Sequence, residues 1–133
     1  MNRRKTIYLT VFCAYLAAIA LLCFARPENL PQIDVKTFLG IPIDKILHFF
    51  MFLPYTILAG LTFIGKDMRA GACTAVLILA VVTGAGISYG TEAIQAKTGY
   101  RAYEIRDFYA DVTGMMTGTL AAVAYLIKTR LDK

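Results

Sequence analysis

The sequence predicts an all-α, polytopic membrane protein with four transmembrane helices and both termini in the cytoplasm. Three observations carry that expectation. Hydrophobic residues make up 58% of the 133 positions, and the mean hydropathy of +0.59 is too apolar for a soluble domain of this size. The apolar residues also gather into four runs, each about as long as a helix must be to cross a hydrocarbon core roughly 30 Å thick. Finally, no strand-type alternation competes with them, and in lipid each backbone amide must find its partner within its own segment, so four such runs imply four helices.

The first run covers about 7–25, the second 43–64, the third 71–96 and the fourth 108–127, and together they make one domain over 1–133. The first follows Asn2-Arg3-Arg4-Lys5, as the apolar stretch of a signal peptide would. It is longer than such a stretch, and Cys23-Phe24-Ala25 is a poor cleavage site, so the helix is expected in the mature protein. Cys13, Cys23 and Cys73 all fall in apolar runs, odd in number and without C-x-x-C spacing, which predicts free thiols packed as small hydrophobes.

The formal net charge is +5, but the charges sit at helix ends and form no basic patch interleaved with aromatics. They read as topology signals, and nucleic acid is not an expected partner. Arg3, Arg4, Lys5, Lys66, Arg69, Lys128, Arg130 and Lys133 fall on one side of the membrane and six Lys and Arg on the other. The excess sits in the short 65–70 turn and the compact termini, which assigns that side to the cytoplasm. The segments 26–42 and 97–106 then face outward.

Ionisable side chains within membrane helices are expensive, and so they mark function or specific pairing. The second helix opens Asp44-Lys45-Ile46-Leu47-His48, with Asp44 and His48 one turn apart on one face. Ser88, Glu92 and Gln95 share a face near the end of the third. Asp107 and Asp111 are one turn apart at the start of the fourth. Antiparallel topology brings these three helix ends to one membrane face, about one turn below its surface, as a polar pocket floored by apolar helix. Asp44 and Asp107 also suit helix N-caps. Gly84, Gly86 and Gly90 on helix three and Gly114 and Gly118 on helix four include G-x-x-x-G spacing, which predicts a tight pair of these two helices.

The pattern Asp44-Lys45-x-x-His48-Phe49, then Glu92-x-x-Gln95, then Arg101-x-Tyr103, then Asp107-x-x-x-Asp111-x-x-Gly114-x-x-x-Gly118 resembles the VanZ-like family of bacterial membrane proteins. It spans Asp44 to Gly118, more than half the chain. The family commonly has Asn where this chain has Asp111, a change that adds a titratable group. The resemblance implies a multi-pass protein of the bacterial cytoplasmic (inner) membrane, in a family named for a glycopeptide-resistance system.

Three readings of the polar cluster stay open. As an enzyme, the protein would act on the headgroup of an envelope lipid or lipid-linked cell-wall precursor. His48, Glu92 and Asp111 would be the catalytic groups, with His48 as general acid or base. Lys45, Gln95, Arg101 and Asp107 would bind substrate, Arg101 and Lys45 by gripping an anionic group. No metal is assigned, because one histidine without H-E-x-x-H does not encode a site; a metal form would use His48, Glu92 and Asp111. The cofactor stays unassigned. As a binding or transport protein, the same pocket would hold a membrane lipid, a peptide or a glycopeptide, and transport by four helices would call for a homo-oligomer. As a structural latch, the polar groups would only tie helix ends together.

Overall fold

The computed structural model describes residues 3–25, 27–29, 36–99 and 102–131. Four helices account for most of them: α1 (Arg3–Phe24), α2 (Ile43–Phe63), α3 (Ala70–Thr98) and α4 (Ile105–Leu131). Each is long and apolar enough to cross a membrane, so the chain has the architecture of a multi-pass membrane protein.

Three of the helices, α1, α3 and α4, begin before or end beyond their apolar runs, whereas α2 matches its run to within a residue. α3 and α4 have 29 and 27 residues, about 40 Å at 1.5 Å per residue, which exceeds the hydrocarbon thickness. Their first and last turns therefore carry polar residues, which hydropathy does not register. α3 stops at Gly99, whose φ of 73° supplies the left-handed residue that commonly ends a helix. The two expected N-caps are not caps. α2 is capped at Pro42 without a side-chain bond, and α4 begins two residues before Asp107, whose N–H donates to the Glu104 carbonyl at 3.0 Å. Both aspartates instead sit in the first turn, where a negative charge suits the helix dipole.

Between α1 and α2 lies a feature hidden in a segment with no alternation long enough to announce it. Residues Thr37–Phe38 (β1) and Ile41–Pro42 (β2) form a two-residue antiparallel hairpin, with Phe38 opposite Ile41. Its turn is Leu39-Gly40, both at positive φ, 51° and 77°. That is the geometry two-residue hairpins favour, although leucine is a poor occupant of the first position.

α2 is the hub of the bundle. It packs against each of the other helices, most extensively against α4. The core gathers Phe52 and Tyr55 of α2, Phe12 and Ile19 of α1, Ala80 of α3 and Met115 of α4. Phe12 meets the ring of Tyr55 edge-on, with centroids 5.6 Å apart. Pro54 removes one amide from the helical ladder of α2, and in the same turn the Tyr15 hydroxyl donates to the Met51 carbonyl at 2.5 Å.

The glycines correct the expected pairing of helices three and four. A Cβ at Gly114 would overlap the Phe49 carbonyl, and one at Gly118 would overlap the Leu53 carbonyl, so the small face of α4 is pressed onto the backbone of α2. At Gly86 and Gly90 a Cβ would meet nothing within 4 Å, so these two glycines lie on the outer surface. Of the α3 glycines in that spacing, Gly84 alone is at a contact, beneath Met115 and Tyr55. Sequence spacing shows that a helix has a small face, but not which neighbour uses it.

Candidate functional site

The start of α2, the end of α3 and the start of α4 meet at one end of the bundle, and their polar side chains form two layers. In the outer layer the Lys45 ammonium contacts three carboxylates: Asp44 at 2.7 Å, Glu104 at 2.9 Å and, through a short bond, Asp107. The Asp44 and Glu104 side chains are 41% and 49% exposed. They form a rim, while Lys45 and Asp107 lie beneath it.

The inner layer is buried. His48, one turn below Asp44, directs Nδ1 to Asp111 Oδ1 at 2.9 Å. Asp111 is 1% exposed, and its second oxygen accepts from the Ser88 hydroxyl at 2.5 Å. A carboxylate accepts but cannot donate, so the proton in the Asp111 contact belongs to Nδ1. This sets the neutral tautomer and leaves the Nε2 lone pair facing the opposite way. There Nε2 stands 3.6 Å from Asp107 Oδ2, and His48, Glu92 and Asp107 each place a donor atom within 4.8 Å of the others. Glu92 is 2% exposed. Its carboxylate lies near His48 and Asp107 and has no side-chain hydrogen bond or ion pair among the described residues.

The structure therefore brings together Lys45, His48, Glu92, Asp107 and Asp111. Lys45 is held by three carboxylates and is not a free grip for an anion. Gln95 takes another direction: its amide donates to the Cys23 carbonyl through a short bond and ties the end of α3 to the end of α1. Arg101 lies outside the described residues. Sequence reasoning misses two participants in the cluster's chemistry. Ser88 is on the expected face but carries no role in that reading, although its register with Glu92 could suggest one. Glu104 lies in a connecting segment, where periodicity carries no signal.

One turn deeper on the same helices the polar character stops. Phe52 and Met115 are fully buried beneath His48 and Asp111, and the Thr56 hydroxyl donates to the Met115 carbonyl at 2.9 Å. A cavity of about 630 Å³ lies at the other end of the bundle, between Tyr8, Ile57, Leu61 and Tyr125, with Arg4 and Lys66 at its rim. Among the described residues its lining includes no histidine or carboxylate, and it is separate from the polar cluster. The polar groups expected to line a pocket form, among the described residues, a cluster with a buried inner layer that reaches the surface through Asp44 and Glu104.

Five carboxylates thus face one ammonium and one imidazole, an excess of negative charge inside a membrane protein. Such a site can take and release a proton at Nε2, and it attracts cations in preference to anions. Compared with protein-family models, curated proteins and solved structures, the chain has no match.

Proposed function

We propose that this is a VanZ-like protein of the bacterial cytoplasmic membrane, with both termini inside, whose polar cluster faces the outer leaflet. There it binds the headgroup of an envelope lipid or lipid-linked cell-wall precursor and does proton-transfer chemistry on it. The observation that carries this reading is the Ser88–Asp111–His48 chain. A serine hydroxyl and an imidazole N–H share one buried carboxylate, which orients the ring so that Nε2 is turned toward Asp107, with Glu92 in the same group of donor atoms.

A histidine that only latched helices together would be satisfied by its bond to Asp111. Here the second nitrogen is presented to groups that can share a proton or a ligand, which suits a general base whose imidazolium is stabilised by Asp111 and Asp107. The latch is supplied separately by Lys45, which ties α2 to Asp107 and Glu104. Passage through the bundle is disfavoured by the Phe52 and Met115 floor. A headgroup approaching from the surface meets the exposed Asp44 and Glu104 first.

The test uses full-length protein reconstituted into vesicles of bacterial polar lipid doped with a lipid-linked pyrophosphate precursor. Lipids are followed by mass spectrometry for wild type, His48→Gln and Glu92→Gln. Wild type is expected to retain or convert one headgroup class, and the variants to insert and melt as wild type does but lose that effect. If wild type neither retains nor converts any lipid, the headgroup reading is wrong.

A further inference from the structure

The geometry points to a divalent transition-metal site, taking Zn²⁺ or Mn²⁺, formed by His48, Glu92 and Asp107. The ligand atoms lie within 4.8 Å of one another, and His48 Nε2 stands 3.6 Å from Asp107 Oδ2. Metal bonds of about 2.0–2.2 Å place neighbouring ligand atoms roughly 3–4 Å apart, so small side-chain adjustments close the site. One imidazole and two carboxylates form a mixed nitrogen and oxygen set that these ions accept.

Two independent features separate this triad from a chance acidic cluster. The first is the orientation of His48: its Nδ1–H is held by buried Asp111, which is itself held by Ser88. That is the carboxylate–histidine arrangement by which proteins present the other ring nitrogen to a metal. The second is Glu92, 2% exposed and without a side-chain partner among the described residues. A buried carboxylate needs a compensating charge, and a cation between Glu92, Asp107 and Nε2 supplies it.

The structure also selects among the alternatives. A second acidic group, Asp44, Glu104 and Asp107, already has its cation, because the Lys45 ammonium contacts all three. The set His48, Glu92 and Asp111 suggested by the sequence fails because Asp111 is engaged by Nδ1 and Ser88, on the side of the ring away from the Nε2–Asp107 contact. The Lys45 contact to Asp107 then acts as an outer support for the ligand. An ion also suits the buried inner layer, and it would give an anionic headgroup a positive charge to meet in a site otherwise rich in carboxylates. The inference concerns the site of the proposed function and rests on that reading only for the ion's purpose; with an ion bound the Nε2 lone pair is taken, so proton transfer would fall to a carboxylate of the cluster and not to His48.

The experiment measures metal binding without any lipid substrate. Full-length protein in detergent is stripped with chelator, and Zn²⁺ and Mn²⁺ are titrated by calorimetry, with Mn²⁺ also followed by electron paramagnetic resonance. One equivalent per chain is expected. Glu92→Gln and Asp107→Asn should weaken binding at least about tenfold by removing ligands. Asp111→Asn should weaken it about 10- to 100-fold while leaving all three ligands in place. Asp44→Asn should change little. No saturable binding, or binding lost in Asp44→Asn and kept in Glu92→Gln, overturns the site. The two readings fail separately: lipid retention or conversion without saturable metal binding rejects the metal alone, and stoichiometric metal binding without lipid retention or conversion rejects the headgroup reading alone.

Discussion

Replacing Asp111 tests the inner layer most directly. Its carboxylate is 1% exposed and accepts two hydrogen bonds, from Ser88 at 2.5 Å and His48 at 2.9 Å. Asp111→Ala removes the acceptor that both donors use. A buried polar group left unsatisfied costs about 1–3 kcal/mol, so the two together cost up to about 2–6 kcal/mol. Asp111→Asn differs in kind. Its carbonamide oxygen can still accept from Nδ1, and the Ser88 hydroxyl can turn to accept from the new NH₂ group, which limits the loss to about 1 kcal/mol. At roughly 3–6 °C per kcal/mol for a chain of this size, the alanine variant should melt about 6–36 °C below wild type and the asparagine variant only a few degrees below. The assay is thermal unfolding in detergent followed by far-ultraviolet circular dichroism, with Ser88→Ala and the Ser88/Asp111 double variant completing a cycle. A coupling of at least about 0.5 kcal/mol is expected. If Asp111→Ala melted within about 2 °C of wild type, or the cycle were additive, the inner hydrogen-bond chain would not hold the site together as described.

Two further predictions concern the scaffold. Gly118→Ala should destabilise the protein by about 1–3 kcal/mol, because the new Cβ meets the Leu53 carbonyl, a backbone atom that cannot turn aside; Gly86→Ala, with open space around it, should be neutral or stabilising by up to about 1 kcal/mol, and equal melting temperatures for the two would contradict the packing of α4 on α2. Leu39→Asn should relieve a leucine held at φ 51°, a conformation that costs leucine about 1 kcal/mol; hydrogen exchange should slow at Ile43, whose amide donates to the Lys36 carbonyl at 3.1 Å across the hairpin, and unchanged or faster exchange would count against the strain.

Much of this protein is legible without its structure. Four apolar runs determine four helices, because lipid offers no other partner for the backbone, and antiparallel connection then obliges the ends bearing His48, Glu92 and Asp111 to meet at one face. What escaped the sequence has physical causes. Hydropathy measures what lipid tolerates and not where helical hydrogen bonding ends, so α4 starts at Ile105 and its polar first turn lies outside the apolar run. The Leu39-Gly40 hairpin is two residues to a strand, too short for any period to show.

Local composition and the order of the helices were enough to give four helices and to bring Lys45, His48, Glu92, Asp107 and Asp111 to one end of the bundle. Only the tertiary structure decided how the cluster is divided: that Lys45 belongs to three carboxylates and is not open to an anion, that Gln95 is drawn to the end of α1, and that Asp107 rather than Asp111 shares the free side of the His48 ring with Glu92. The two aspartates lie one turn apart on the same stripe, so periodicity cannot tell them apart. The rotation of α4 does, and that rotation is set by Gly114 and Gly118 seating against the backbone of α2, a contact between helices that no single helix encodes.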